Sequence, residues 1–266
     1  MKETITSRRN PLVQLARAGR DGRERESVFI EGVRLCEEAL RASLEFELAL
    51  YTQPLAEDER GARLIKELRD VCKSIHLVNE SVLESVADTK TPQGVVALAR
   101  RPRTGREVVA SATGTPLIVV VHGSNNPSNA GAMLRVAEAA GATAVIATQG
   151  SADLLSAKAL RGSMGSAFRL PLWTGPTFVE ALGWCVERGI RTVGTSAAAT
   201  PTHTEIDWRR PRAVIVGPEG GGLSDDEARA AEECIRIPMR EPVESLNVAT
   251  ALAVILYEAA RQRNFR

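Results

Sequence analysis

Between residues 117 and 237 the chain alternates short, strongly apolar runs with segments of helical period. The runs at 117–121, 144–147, 168–172, 191–194, 213–216 and 234–237 read as strands. Helical patterns lie between most of them, at 131–140, 156–161, 178–188 and 225–233. Strands that are apolar on both faces and separated by helices predict a mainly parallel sheet covered on both sides. Ligands of such sheets sit beyond the carboxyl ends of the strands, so the loops after the strands are where chemistry is expected. An earlier stretch, 28–100, reads as a smaller α/β unit. Its strands are expected at 28–30, 46–51, 75–78 and 95–99, its helices at 33–42 and 61–71, and Ser81 with Glu84 forms a capping box for another helix. The segment 100–115, RRPRTGREVVASATGT, has little periodicity and reads as a connection. The expected organisation is a first domain over 1–104, a linker over 105–115 and a second domain over 116–266, which suits a chain of 266 residues.

Composition excludes several classes. Lys and Arg total 34 and Asp and Glu 33, so any nucleic-acid surface must be a local patch. The four cysteines, Cys36, Cys72, Cys185 and Cys234, form no close pair, and with three histidines they offer no zinc spacing. No metal is expected, and buried thiols suit a reducing compartment. The polar start of the chain and the absence of a long apolar run predict a soluble, cytoplasmic protein without membrane contact.

Three segments carry potential chemistry. His122–Arg135, HGSNNPSNAGAMLR, follows the run at 117–121, with Asn129 or Ser128 as helix caps and Arg135 on the helix. Taken alone it reads sooner as a capped helix with an arginine facing solvent than as a site. The glycine-rich VIVGPEGGGLS at 214–224 has neither a Walker lysine nor dinucleotide glycine spacing. Its following helix opens Ser224-Asp225-Asp226-Glu227, and carboxylates there oppose an anion. The loop therefore suits a neutral or cationic ligand. In IPMREPVESLNVA, 237–249, two prolines keep the chain extended and Ser245 is the expected cap of an apolar helix at 246–262. That helix, polar only at Asn247 and Thr250 through Leu256, is expected to be buried or shared between subunits.

In this order, NPSNAGAMLR at 126–135, RGSMG at 161–165, VGTSA at 193–197, IVGPEGGGLS at 215–224 and IPMREPVESLNVA at 237–249 resemble the SpoU (TrmH-like) family of RNA ribose methyltransferases, part of the SPOUT superfamily. VFIEGVRLCEEAL at 28–40 and DTKTPQGVVALA at 88–99 resemble that family's substrate-binding domain. The resemblance implies an α/β catalytic domain with a C-terminal trefoil knot, preceded by a small ribosomal-protein-like α/β domain. It implies S-adenosylmethionine (SAM) as cofactor and a homodimer formed through the knotted domain.

By position, Arg135 resembles the family's catalytic arginine, with Asn129, Glu219, Ser245 and Asn247 as the supporting polar set. Thr195, Ser196, Gly217, Glu219, Gly220, Ile237, Met239, Leu246 and Asn247 would hold SAM. Arg8, Arg9, Lys90, Arg135 and Arg161 are the expected RNA contacts. The implied activity is 2′-O-methylation of a ribose in structured RNA, with ribosomal RNA favoured over transfer RNA. Aromatic residues are 4% of the chain, which disfavours a single-strand stacking platform. Transfer RNA methylation and a non-catalytic RNA-binding assembly factor are the alternatives. A nucleotide-dependent oxidoreductase is opposed by the missing glycine fingerprint.

Overall fold

The computed structural model describes residues 4–264. Its N-terminal elements are α1 (Pro11–Arg20), β1 (Ser27–Glu31), α2 (Val33–Arg41), β2 (Phe46–Tyr51), α3 (Gln53–Glu57), α4 (Glu59–Val71), β3 (Ile75–Leu77), α5 (Glu80–Val86) and β4 (Val95–Arg100). The sheet order is β1-β4-β2-β3, with β4 antiparallel to both neighbours and β2 parallel to β3. Phe29, Leu48, Leu50, Val96 and Leu98 pack beneath α1 and α5, on Val13, Val82 and Leu83. Each such side chain contributes roughly 1.5–3 kcal/mol on burial.

The remaining elements are α6 (Arg106–Ala110), β5 (Leu117–Val121), α7 (Pro127–Ala139), β6 (Ala144–Ala147), α8 (Ala157–Ser163), α9 (Ser166–Arg169), β7 (Leu172–Thr174), α10 (Phe178–Glu187), β8 (Arg191–Thr195), β9 (Arg212–Val216), α11 (Asp225–Ala230), β10 (Glu233–Ile235) and α12 (Val248–Gln262). Their sheet runs β10-β8-β9-β5-β6-β7 and is parallel throughout. Ile118, Val120, Ile146 and Ile215 meet Trp184 and Cys185 of α10 in one core cluster.

Two compact units result. The first joins Met1–Pro102 to Leu155–Phe168, so α8 packs with β1; the second holds Arg103–Leu154 and Arg169–Arg266. Arg161 of α8 pairs with Asp88 and lies 3.7 Å from Glu31, whose side chain is only 3% exposed.

Several local expectations change. The aperiodic segment around 105–115 contains α6, whose Val109 enters the core; one turn of helix is too short to show a period. The strand expected at 168–172 begins only at Leu172, because 166–169 closes a helical turn and Pro171 has no N–H to donate. Asn79, not Ser81, caps α5 through Val82 N at 2.9 Å. Asn126 rather than Ser128 or Asn129 caps α7, with Pro127 in its first turn. Asn247 displaces Ser245 as the cap of α12, because its Oδ1 accepts from Ala249 N and Thr250 N at 3.0 and 3.4 Å. That helix buries Leu252, Ile255, Leu256 and Ala259, while Tyr257 stays 55% exposed. It is therefore one-sided rather than buried all round.

Candidate active site

Three loops leave the carboxyl ends of β5, β8 and β9, and the N-terminus of α12 arrives beside them. The loops after β8 and β9, with the chain leading into α12, line a cavity of about 730 Å³, a size typical of small-molecule sites. Thr195, Ser196, Gly217, Glu219, Gly220, Leu246 and Asn247 line it. Ile237 and Met239 line an adjoining pocket of about 160 Å³, which shares Thr195, Ser196, Ser245 and Leu246 with the larger one. All nine residues expected to meet a cofactor thus face one continuous recess. Gly217 is sterically required there. A Cβ would stand 2.6 Å from Gly222 C and Leu223 N, which are backbone atoms of the returning turn.

A chain of hydrogen bonds ties Glu219 and Asn247 of the recess to the segment that follows β5. Glu219 Oε1 accepts from Ser124 Oγ at 2.6 Å and from Asn129 Nδ2 at 2.8 Å. Asn129 Oδ1 in turn accepts from Asn247 Nδ2 at 3.2 Å, while Asn247 Oδ1 caps α12. Three segments distant in sequence are joined by one polar relay. Burial alone would raise the Glu219 carboxyl, but the bonds from Ser124, Asn129 and backbone N–H groups outweigh it and hold the carboxyl below the usual range. Glu219 is therefore an anion at neutral pH.

A second tie lies behind the glycine-rich loop. His122 shares a 2.8 Å hydrogen bond with Glu227 Oε1 through Nε2 and one with Thr148 Oγ1 through Nδ1. Its ring packs on Phe178 with centroids 4.3 Å apart. Glu227 also closes the capping box with Ser224, and the Ser224 N–H together with His122 lowers its carboxyl. The first turn of α11, which follows the glycine-rich loop, holds Asp225, Asp226 and Glu227, and carboxylates there oppose an anion.

The expected RNA residues are placed differently. Arg135 is exposed on α7 and lines neither part of the recess; among the described residues it has no hydrogen-bond or ion-pair partner. Arg161 is engaged by Asp88 and Glu31, so a phosphate there would compete with two carboxylates. Arg8 and Arg9 are exposed in the turn before α1, and Lys90 is exposed in the loop before β4.

Sequence reasoning missed Glu244, which lines both parts of the recess, and His122 with its two partners. Glu244 stands one residue before Ser245, inside a segment already singled out, but nothing in the spacing marks its direction. Among the described residues, no group of three His, Cys, Asp or Glu side chains is placed to hold a metal ion.

Comparison with known proteins adds family-level findings. Residues 116–257 match the model described as the SpoU rRNA Methylase family, and residues 29–105 match RNA 2′-O ribose methyltransferase substrate binding. An uncharacterized tRNA/rRNA methyltransferase of Synechocystis sp. is 35% identical over 98% of this chain and 94% of its own. The 23S rRNA (guanosine-2′-O-)-methyltransferase RlmB of Bordetella pertussis is 34% identical over 84% of this chain and 93% of its own. A crystal structure of an RNA 2′-O ribose methyltransferase superposes with TM-score 0.85 at 36% identity, covering 98% of this chain and 100% of that one. The SpoU methyltransferase AviRb from Streptomyces viridochromogenes, solved with AdoMet, gives TM-score 0.87 at 27% identity over 96% and 99% of the two chains.

Proposed function

The chain belongs to the SpoU family of RNA methylases, and from that membership we propose that it is a SAM-dependent enzyme methylating a ribose 2′-hydroxyl in ribosomal RNA. The observation that carries this reading is the Ser124–Glu219–Asn129–Asn247 relay, of which Glu219 and Asn247 line the 730 Å³ cavity. It fixes an anionic carboxylate and two oriented amides beside a space that fits a nucleoside-sized ligand.

The residues present suit SAM. The small pocket presents Ile235, Ile237, Leu246 and Ile255, an apolar slot for a flat ring. Around it, the chain at 195–198 and 217–222 offers backbone donors and acceptors. Glu219 and Glu244 supply negative charge for a cationic ligand, and the acidic start of α11 excludes a polyphosphate. When bound, SAM would supply a methyl group from a sulfonium whose C–S bond breaks to leave a neutral thioether, the acceptor hydroxyl giving its proton to solvent.

The chain's own part is placement. Asn129 and Asn247 are locked by mutual and cap hydrogen bonds, so their orientation is set before RNA arrives. A guanidinium keeps its proton at neutral pH, with a pKa above about 12. We assign Arg135 to holding a phosphate and orienting the 2′-hydroxyl, not to removing its proton. Arg8, Arg9 and Lys90 are proposed as further RNA contacts on the first unit, with Arg161 reaching RNA only if its carboxylate partners release it.

The same reading includes a homodimer, a C-terminal knot and a cytoplasmic location. Exposed Val254 and Tyr257 on α12, with Val243 and Leu246 just before it, support the dimer. The family resemblance is what supports the knot; the chain after edge strand β10 returns as α12 to pack on α7. No helix among the described residues is long and apolar enough to cross a membrane.

The test is methyl transfer from labelled SAM into unmodified ribosomal RNA and transfer RNA, with Arg135→Ala alongside. A 2′-O-methylated nucleoside in ribosomal RNA, made by wild type alone, is the expected result. Transfer into transfer RNA only would replace the substrate, and SAM binding without transfer to either would overturn the enzymatic reading.

A further inference from the structure

The N-terminal unit contains a separate cavity of about 460 Å³. Pro54 and Leu55 of α3, Glu80, Leu83 and Glu84 of α5, and the loop from Lys90 to Gly94 line it. The loop wall is rigid. The buried Glu31 carboxylate accepts from the backbone N–H groups of Asp88 and Thr89 and from the Thr89 hydroxyl. Gln93 Oε1 accepts from Val33 N at 3.1 Å, and Gly94 O accepts from Thr52 N at 2.9 Å. Gly94 has φ +81°, and a Cβ there would stand 2.8 Å from Thr52 Oγ1. The cavity is thus formed in advance, which lowers the ordering cost of a ligand.

The lining limits what can enter. Asp58 is committed to capping α4 through Gly61 N at 2.9 Å. Among the described residues the exposed side chains of Glu80, Glu84 and Lys90 have no hydrogen-bond or ion-pair partner. Three carboxylates against one ammonium repel a phosphate inside, yet no such group is placed to chelate a metal ion. Leu55, Leu83, Pro54 and Pro92 favour a flat, largely apolar body. The ligand's buried part is therefore planar, uncharged and rich in hydrogen-bond donors. Unstacked bases of folded RNA have this chemistry, and are read on their exposed edges. Guanine presents adjacent N1–H and N2–H₂ donors to a carboxylate; uracil offers a single N–H between two acceptors.

Resting on the reading of RNA as substrate, we propose that this cavity receives an unpaired guanine of the RNA, far from the methylated ribose in role. Glu80 and Glu84 accept from its donor edge, and Lys90 at the rim meets a backbone phosphate.

Two measurements on the full chain test this. In the first, guanosine, inosine and uridine 5′-monophosphates are titrated while the amide resonances of residues 88–94 are followed. Guanosine monophosphate should shift them most, the inosine form less for want of the N2 amine, and the uridine form least. Equal shifts from all three, or none from any, would overturn the assignment. In the second, Glu80→Gln and Glu84→Gln should weaken binding of unmodified ribosomal RNA about tenfold, leaving SAM affinity and turnover at saturating RNA unchanged. Lys90→Ala should reduce the salt slope of RNA binding by about one. Unchanged RNA affinity in all three variants would overturn the proposal. Wild-type methyl transfer, run in parallel, separates this failure from failure of the enzymatic reading.

Discussion

Glu219 and Asn129 lie 90 residues apart in the chain, yet the carboxylate of one accepts from the amide of the other at 2.8 Å. The same oxygen takes the hydroxyl of Ser124, which is fully buried. Glu219→Ala leaves that hydroxyl and one Asn129 amide proton unmatched, at a cost of about 1–3 kcal/mol. The melting temperature should fall by roughly 2–4 °C per kcal/mol lost. Turnover on RNA should drop roughly 10–100-fold, with Glu219→Gln recovering part of it. Thermal melts and methyl-transfer rates check both, and full activity in Glu219→Ala would remove the relay from the site.

Two carboxylates of the site region contribute to the acid limb of stability. Glu219 and Glu227 both titrate below their ordinary value of 4.5 in the folded chain. Groups depressed in this way add stability above the unfolded value, and that stability is lost as pH falls through the folded values. The urea midpoint should therefore decline steadily below about pH 5, and Glu227→Gln should flatten the decline. A variant profile parallel to wild type would show that Glu227 adds nothing to it.

Gly217 tests the turn. Gly217→Ala drives a methyl group into the backbone of Gly222 and Leu223, which cannot rotate away as a side chain would. SAM affinity, measured by calorimetry, should fall at least about tenfold, since one disturbed contact of 1.4 kcal/mol already gives that factor. Normal affinity would mean that the turn is more pliant than its packing implies.

Arg135 lies outside the cavity lining, so its loss should separate binding from turnover. Arg135→Ala should leave SAM affinity within about twofold and lower the rate on RNA by about 100-fold or more. Arg135→Lys keeps charge but loses the planar fork, and should recover only a fraction of the rate. Near-normal turnover in the lysine variant would refute the need for a fork.

Much of this architecture could be read before the structure. The parallel sheet and the loops of its carboxyl edge followed from runs such as 117–121 and 213–216, because double-sided burial leaves an unbroken apolar signature. Asn129, Glu219 and Asn247 were singled out from motif resemblance, and the structure bonds them together. Short elements escaped: α6 and β7 have too few residues to display a period. At α5, α7 and α12 the cap stands two or three residues from the expected one, since neighbouring Ser and Asn side chains all qualify chemically and only geometry chooses. His122 carries no spacing signal of its own, because its partners Thr148 and Glu227 are 26 and 105 residues away. The pairing of Arg161 with Asp88 and Glu31 was invisible for the same reason.

That last pairing bears on how such a protein can be taken apart. The first unit is not one stretch of chain: α8 returns to it from between β6 and β7, bringing the guanidinium that faces Glu31. A fragment ending at residue 104 would keep the acid and lose its counter-charge, while the complementary fragment would carry an arginine and a helix with nothing to pack on. Recombination that exchanged the N-terminal module as a simple cassette would meet the same mismatch. The module is inherited with a clasp encoded elsewhere in the gene, and grafts that succeed should be those that move 155–168 with it.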